Sequence, residues 1–239
     1  MGKVIRMPVF WIIICLAAAA GAVAVWFAAS FGTPHDENAH RLKFSEADRA
    51  ETETLDLSSV NIIEEKTIDQ DLSAYIFTDD EDGEYKGAVS TGGKSYYVGL
   101  VSMEGTPGDL MGIKEVQVFG KKAVKFYGIL GANYPQALYW LTGENPEDSV
   151  IQIDGNTTET DLDNDTGNEI VATVGTIPET NIYVLKDSEI SVSDINRSLG
   201  AKSVRLMDEN NKLFEVYFEP NKPEQFVYQD GSFVKKRSS

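Results

Sequence analysis

The segment KEVQVFGKKAVKFYGI, residues 114–129, contains two runs of β-branched and aromatic residues on either side of a Gly–Lys turn. Such runs favour strands, and the turn between them favours a hairpin. Similar short runs recur from about residue 60 to the C-terminus, separated by DG, GG, PG and NN pairs. Many short strands with turn signals predict an all-β domain with minor helices, built as a β-sandwich or as a small propeller-like domain.

Two segments of the β-rich region are predicted to be helical. In SDINRSLG, residues 193–200, Ser193 is placed to cap the N-terminus and Gly200 to end the helix. In YPQALYWLTG, residues 134–143, a proline near the first turn and a final glycine favour a second helix.

The β-rich region also contains a weak internal similarity. Residues 78–89, TDDEDGEYKGAV, can be aligned with residues 160–174, TDLDNDTGNEIVATV. The two segments suggest a pair of related repeats, residues 72–143 and 150–234. The alternative is that such coincidences arise in any acidic all-β domain.

The N-terminus has the pattern of a membrane anchor. From Met7 to Gly32 there is no charged residue, which is about the length that spans a bilayer as a helix. Trp11 and Trp26 lie near the two ends of this run, where interfacial aromatic residues belong. Residues 1–32 are therefore predicted to be a transmembrane anchor. The alternative is a signal peptide cleaved near Ala28–Ser30, which would give a secreted protein.

The charges around this anchor predict its orientation and the regions that follow. Lys3 and Arg6 favour a cytoplasmic N-terminus, which places the C-terminal domain outside the cell membrane in a single-pass topology. Residues 33–58 are polar and charged without a sustained apolar stripe, so we expect a spacer. Residues 59–239 are expected to form the extracytoplasmic β-rich domain.

The composition excludes several classes of function. The net charge of −17 argues against a nucleic-acid partner, because phosphate binding needs a cationic face. The chain has one cysteine, Cys15, and two histidines, His35 and His40, all of which precede the β-rich region. That region therefore contains no cysteine nucleophile, histidine-dependent triad or His/Cys zinc site.

An aspartate-rich loop is the candidate site. Asp161, Asp163 and Asp165 alternate along the chain, and Glu169 follows four residues later. Oxygen ligands arranged in this way suit Ca²⁺, with the carbonyl of Gly167 and water completing the shell. The alternatives are a plain solvated acidic turn and a catalytic carboxylate cluster.

Residues 160–187 resemble the calcium loops of FG-GAP/VCBS-type repeats, which occur in integrin-like propellers and in many bacterial surface proteins. Their pattern, D-x-D-x-D-G-x-x-D/E followed by an apolar strand, is matched in spacing by the loop and by the strand after Glu169. Thr166 stands where the pattern has glycine, and Gly167 comes one place late. The loop at 78–86 lacks acidic residues at the first and ninth positions, so it is interpreted as a degenerate copy without metal.

These features predict a non-enzymatic, membrane-anchored module at the cell surface, with a structural Ca²⁺ site at Asp161, Asp163, Asp165, Gly167 and Glu169. Its expected partners are the membrane, through the N-terminal helix, and an envelope protein or glycan. The alternative is a carboxylate-dependent, glycosidase-like hydrolase acting on envelope glycan. In that hypothesis Tyr134, Tyr139 and Trp140 form a sugar-stacking surface.

Overall fold

The computed structural model describes residues 39–79, 83–131 and 134–236. These residues form four antiparallel sheets, one short helix and two 3-10 turns, which confirms the predicted all-β class with minor helical content. The predicted anchor, residues 1–32, lies outside the described residues. Within the described part of the chain, no helix is long and apolar enough to cross a membrane.

The strands are short and follow one another closely, as the alternation of β-forming runs and turn residues predicts. In chain order they are β1 (Ala39–Arg41), β2 (Ser45–Glu46), β3 (Glu53–Thr54), β4 (Asn61–Thr67), β5 (Leu72–Thr78), β6 (Glu84–Thr91), β7 (Lys94–Met103), β8 (Gly112–Val118), β9 (Lys121–Leu130), β10 (Tyr134–Leu141), β11 (Val150–Asp154), β12 (Asn156–Thr160), β13 (Glu169–Val174), β14 (Glu179–Lys186), β15 (Glu189–Asp194), β16 (Ser203–Asp208), β17 (Leu213–Glu219), β18 (Lys222–Gln229) and β19 (Ser232–Lys235). The helix α1 is Ile195–Leu199, and the 3-10 turns are Leu57–Ser59 and Pro146–Asp148.

Each sheet is a meander of four consecutive strands. The first sheet contains β4–β7, the second β8–β11, the third β12–β15 and the fourth β16–β19. The strands β3, β2 and β1 add a fifth strand to the first, third and fourth sheets respectively. Every pairing between consecutive strands of a meander is antiparallel, whether the strands are joined by a tight turn or by a longer loop.

The core consists of three buried clusters, each between two consecutive sheets. Phe126 and Leu138 lie in the cluster between the first and second sheets. Tyr139 belongs to the cluster between the second and third sheets, and Phe214 to the one between the third and fourth. Among the described residues, no buried cluster joins the first sheet to the fourth. The four sheets therefore form a row packed face to face.

This row differs in detail from the expected arrangements. It has four layers, which is more than a two-sheet sandwich. The sheets have the size of propeller blades, but a closed propeller would also need the first and last sheets to pack together. The predicted repeats, 72–143 and 150–234, do not match the units of the row, because their boundary separates β10 from β11, which pair within the second sheet. The repeating unit is the four-stranded meander.

The predicted helix at 134–143 is wrong, because this segment is strand β10. Leu138 and Trp140 face the first sheet, whereas Ala137, Tyr139 and Leu141 face the third. A central strand covered on both faces contains a continuous apolar run without the alternation of a half-exposed strand. Such a run cannot be distinguished from a buried helix by periodicity.

The other predicted helix is confirmed as α1, with its cap displaced by one residue. Asp194, rather than Ser193, is the N-cap, and its carboxylate accepts a 2.8 Å hydrogen bond from the backbone N–H of Arg197. Gly200 ends the helix with φ of 69°, a left-handed conformation that glycine adopts without steric cost.

Residues 39–54, which we call the strap, lie along the last strand of every sheet. β1 pairs with β19 of the fourth sheet, and β2 pairs with β15 of the third. Ala50 bridges Val150 of the second sheet, and β3 pairs with β7 of the first. The strap thus crosses the row in the reverse of chain order. The structure differs here from the charged spacer predicted for residues 33–58.

The strap is also part of the core. Leu42 lies in the cluster between the third and fourth sheets, and Ala47 lies in the cluster between the second and third. Ala50 packs against the cluster between the first and second sheets. Phe44 also packs against the cluster between the third and fourth sheets, so each junction between sheets receives at least one apolar side chain from the strap. These few apolar residues, scattered among charged ones, are not enough to produce a strand signal in the sequence.

Candidate metal centre

The aspartate-rich loop joins β12 to β13 in the third sheet. Asp161, Asp163 and Glu169 each offer one carboxylate oxygen, and these three oxygens lie within 4.8 Å of one another. We call these residues the acidic triad. Asp163 is exposed, Asp161 is half-buried and Glu169 is buried, so the triad extends from the surface to the base of the loop.

Hydrogen bonds from the loop's own backbone hold its aspartates in place. The carboxylate of Asp161 accepts from the N–H groups of Asn164, at 2.7 Å, and of Thr166, at 3.2 Å. Asp163 accepts from the N–H of Asp165 at 3.1 Å. Such bonds from a short carboxylate to nearby N–H groups favour tight turns over regular structure.

Thr166 occupies the position that the resembled pattern gives to glycine, and it has φ of 76°. A β-branched residue in this left-handed region is strained, because its side chain crowds the backbone. The loop therefore adopts the same turn that a glycine would allow, but with strain at Thr166.

Two of the five predicted ligands lie outside the acidic triad. The carboxylate of Asp165 accepts a 2.7 Å hydrogen bond from the N–H of Gly167, which closes the next turn of the loop. The structure therefore brings Asp161, Asp163 and Glu169 together, whereas Asp165 and Gly167 lie in the same loop but outside this group.

Glu169 is the buried member of the triad, with 5% of its surface exposed. One of its carboxylate oxygens accepts a 2.6 Å hydrogen bond from the N–H of Leu162. Burial is the main cause that raises the pKa of Glu169 to about 7, and the charges of Asp163 and Asp165 add to it, although the bond from Leu162 opposes the shift. The pKa of Asp163 is also raised, first by burial and then by its acidic neighbours.

Tyr228 of β18 brings the fourth sheet to the triad, a contribution that sequence analysis missed. Burial is the main cause that raises the pKa of its hydroxyl to about 12, and the negative charges of Glu169 and Asp163 contribute to this rise. No motif links Tyr228 to the aspartates, because it comes more than sixty residues after them along the chain. The third and fourth sheets have to pack before this side chain approaches the loop.

The loop also contacts the sheets on both sides of its own. Towards the second sheet, the carbonyl of Asn168 accepts from the N–H of Phe119 at 2.8 Å, and the Asn168 side chain donates to the carbonyl of Gln117 at 3.0 Å. Towards the fourth sheet, Lys212 donates to the side-chain oxygen of Asn164 at 2.5 Å. Leu162, between the first two aspartates, is buried in the cluster of the third and fourth sheets. The loop therefore connects three sheets.

The acidic triad fits a hard divalent cation. Ca²⁺ binds oxygen ligands at about 2.3–2.6 Å, so ligands on opposite sides of the ion lie up to about 5 Å apart. The triad's oxygens satisfy this limit. Each carboxylate oxygen has two lone pairs, so those that accept a backbone N–H keep acceptor capacity. A donor set of oxygens alone suits calcium, magnesium or manganese rather than softer metals.

No protein-family model matches this chain. No curated protein and no solved structure matches it either. The resemblance to FG-GAP/VCBS-type loops therefore stays a prediction from residues 160–187, and the candidate site depends on its own geometry.

The loop at 78–86 lies in the turn between β5 and β6, and its residues 80–82 are outside the described part of the chain. Lys86 forms a 2.8 Å ion pair with Asp79. This turn joins the second and third strands of its meander, whereas the triad's loop joins the first and second. The two loops are not at equivalent positions, so the suggested duplication does not relate them.

The aromatic surface proposed for a hydrolase is not present. Tyr139 and Trp140 are buried, because β10 lies between two sheets, and Tyr134 is the only exposed member of the three. The hydroxyl of Tyr139 donates to Glu159, which also forms a 2.7 Å ion pair with Lys125. These side chains serve the packing of the second and third sheets, and they offer no platform on which a sugar could stack.

Proposed function

We propose that this chain is a membrane-anchored extracytoplasmic module with a structural calcium ion in the loop of residues 161–169. Residues 1–32 anchor it in the cell membrane, and the row of sheets outside serves a binding or structural role towards an envelope protein or glycan. The observation that carries this proposal is the grouping of the acidic triad within a loop that bonds to three sheets.

Asp161, Asp163 and Glu169 would hold the ion, with Asp165, Gly167 and water as further oxygen donors. The ion would supply positive charge to carboxylates that otherwise repel one another at short range. It would also favour the ionised form of Glu169, which burial disfavours. Since the loop connects the second, third and fourth sheets, ordering it would stabilise two of the three junctions of the row.

Calcium is then a folding ligand, whose effect depends on its free concentration. At about ten times the dissociation constant it adds about 1.4 kcal/mol to the free energy of unfolding. For a domain of this size that gain raises Tm by about 3–6 °C.

The test is thermal unfolding of the full chain in detergent micelles, first with chelator, then with millimolar calcium, and separately with magnesium. Asp163→Asn removes one charge of the triad with little change in size. Asp187→Asn is the matched control, because Asp187 is an exposed aspartate in the turn between β14 and β15.

We expect calcium to raise the Tm of the unmodified chain and of Asp187→Asn, and to leave that of Asp163→Asn unchanged. Equal Tm values with chelator and calcium would refute the calcium site and leave an acidic turn. The anchor is tested separately, by measuring the mass of the membrane-bound protein. A mature chain that begins near residue 31 would show signal cleavage and secretion instead.

A further inference from the structure

The charge of this chain is strongly segregated along the row of sheets. The fourth sheet and the adjoining start of the strap, residues 202–236 and 39–43, contain eight Lys and Arg residues against six Asp and Glu residues. Residues 44–201, which hold the other three sheets, contain ten basic against thirty acidic residues. One end of the row is therefore weakly basic, and the rest carries the whole negative charge of the protein.

The fourth sheet ends the row, so one of its faces has no sheet against it among the described residues. Phe214, Phe226 and Phe233 point into the buried cluster on the third-sheet side. Side chains alternate along a strand, so the preceding or following residues Leu213, Val227 and Val234 point to the opposite side. These three are also register partners across β17, β18 and β19, and so they are adjacent on that side.

We call this side the outer face of the fourth sheet. Met207 lies at the irregularity of β16 between Leu206 and Asp208 and is 50% exposed, so it is accessible at this end of the row. Two of the acidic residues of the sheet form ion pairs, since Arg205 pairs with Glu215 at 2.7 Å and Lys235 with Glu224 at 2.6 Å. Each pair uses one basic and one acidic residue, so this end of the row keeps its small excess of basic residues.

Along the sequence, the strand of this end of the row follows the predicted anchor directly. The described chain begins at β1, which pairs with β19 of the fourth sheet. Only residues 33–38 separate β1 from the apolar run that ends at Gly32. Six extended residues span at most about 20 Å. Of the four sheets, the fourth is the one on the shortest tether.

We propose that the outer face of the fourth sheet docks on an anionic bilayer surface, with the acidic sheets pointing away from it. This inference depends on the membrane anchor of the proposed function. Apolar side chains at a basic end of the row suit the headgroup boundary, where anionic lipids attract Lys and Arg. The same lipids repel the other three sheets, so the charge segregation sets the orientation of the row as well as its attachment.

The test is energy transfer from a dye on the full chain to acceptor lipids in reconstituted vesicles that contain anionic lipid. Cys15→Ala removes the only native cysteine, and a single cysteine is then introduced by Met207→Cys or by Ile63→Cys. Ile63 lies in the first sheet and is 45% exposed, so the two positions are matched in exposure. Because stacked sheets lie about 10 Å apart, the dyes should differ in height by about 30 Å. We expect severalfold more transfer from position 207.

Charge reversal supplies the control. Lys202→Glu with Lys236→Glu reverses two exposed lysines at the basic end, and Lys94→Glu with Lys114→Glu makes the same change in the first and second sheets. We expect the first pair, and 1 M salt, to reduce the difference between the two dye positions, because salt shortens the Debye length to about 3 Å. The second pair should leave the difference unchanged.

Equal transfer from positions 207 and 63, in a chain that stays in the vesicles after an alkaline wash, overturns the docking while the anchor stands. The docking is also overturned if the dye at position 207 becomes less exposed to solvent as the protein concentration rises, whether or not acceptor lipid is present. In that case a second copy of the chain covers this face. A chain that the alkaline wash removes from the vesicles contradicts the anchor itself, and the inference falls with it.

Discussion

Truncation of Leu42 to alanine tests whether the strap is an integral part of the fold. Leu42 is 6% exposed and lies in the cluster between the third and fourth sheets, far from that cluster in sequence. Its backbone N–H also donates to the carbonyl of Gly231 at 3.0 Å, which fixes the strap beside β19. Leu42→Ala keeps this hydrogen bond and removes only the buried side chain.

The expected loss follows from the burial of this side chain. Buried Leu→Ala substitutions lower the free energy of unfolding by about 2–5 kcal/mol, because they lose both transfer energy and packing. The edge of the row can relax partly, so we expect about 3 kcal/mol, within that range. For a domain of this length the loss lowers Tm by about 6–12 °C.

The assay is denaturant unfolding of the full chain in micelles, followed by tryptophan fluorescence and by circular dichroism. With Trp11→Phe and Trp26→Phe as the background, the fluorescence comes from Trp140 and reports on the first and second sheets. A coincident loss of both signals then shows that the row unfolds as a unit. Leu185→Ala is the matched control. Leu185 is 44% exposed, and its truncation should change the free energy of unfolding by less than about 0.5 kcal/mol.

If residues 39–54 were a spacer, Leu42→Ala would behave like Leu185→Ala. Equal midpoints for the two variants and the unmodified chain would therefore refute the strap. A drop in the midpoint with an unchanged slope against denaturant would support it, because the same surface is then exposed on unfolding.

Three further outcomes are expected. Thr166→Gly should raise the free energy of unfolding by about 0.5–1 kcal/mol, since it relieves left-handed strain but increases the entropy of the unfolded chain; an unchanged or lower value would contradict the strain. In calcium-free protein, the pKa of Glu169 is about 7 in the folded state and 4.5 in the unfolded reference, so its contribution to stability is greatest below pH 4.5 and falls by up to about 3 kcal/mol by pH 7. Glu169→Gln should therefore flatten the dependence of the free energy of unfolding on pH between these values. Parallel pH profiles for the variant and the unmodified chain would contradict this. Gly128→Ala should unfold the junction of the first two sheets, because a Cβ at this position would lie 2.1 Å from the Val101 carbonyl oxygen. Gly108→Ala is the control, because a Cβ there would have no atom within 4 Å, and this variant should have the Tm of the unmodified chain.

The all-β class was predictable because most strands are short, β-branched and bounded by turn residues. β10 was not, since its burial between two sheets removes the alternation that identifies a strand. Helix α1 was predictable from its polar start and Gly200. Its cap fell on Asp194 because two adjacent residues, Ser193 and Asp194, could both serve, and only the backbone path decides between them.

The candidate site was partly predictable for a similar reason. Alternating aspartates and a glutamate at fixed spacing are local signals, and the structure groups Asp161, Asp163 and Glu169. The contacts of the loop with Phe119, Lys212 and Tyr228 come from other sheets, so no local pattern contains them. The strap was missed because its pairing partners are spread over all four sheets.

The reverse path of the strap has a consequence for synthesis. The strap is made before all of its partners, which appear in the order β7, β11, β15 and β19. Its C-terminal end can therefore pair first, and each later sheet adds the next few residues towards the N-terminus without threading any loop. Assembly nevertheless ends only when Gly231 has emerged to accept from Leu42, so the first and last strands of the described fold are also the last to join. Such long-range closure makes folding slow and leaves the uncovered sheet edges open to aggregation until translation is complete.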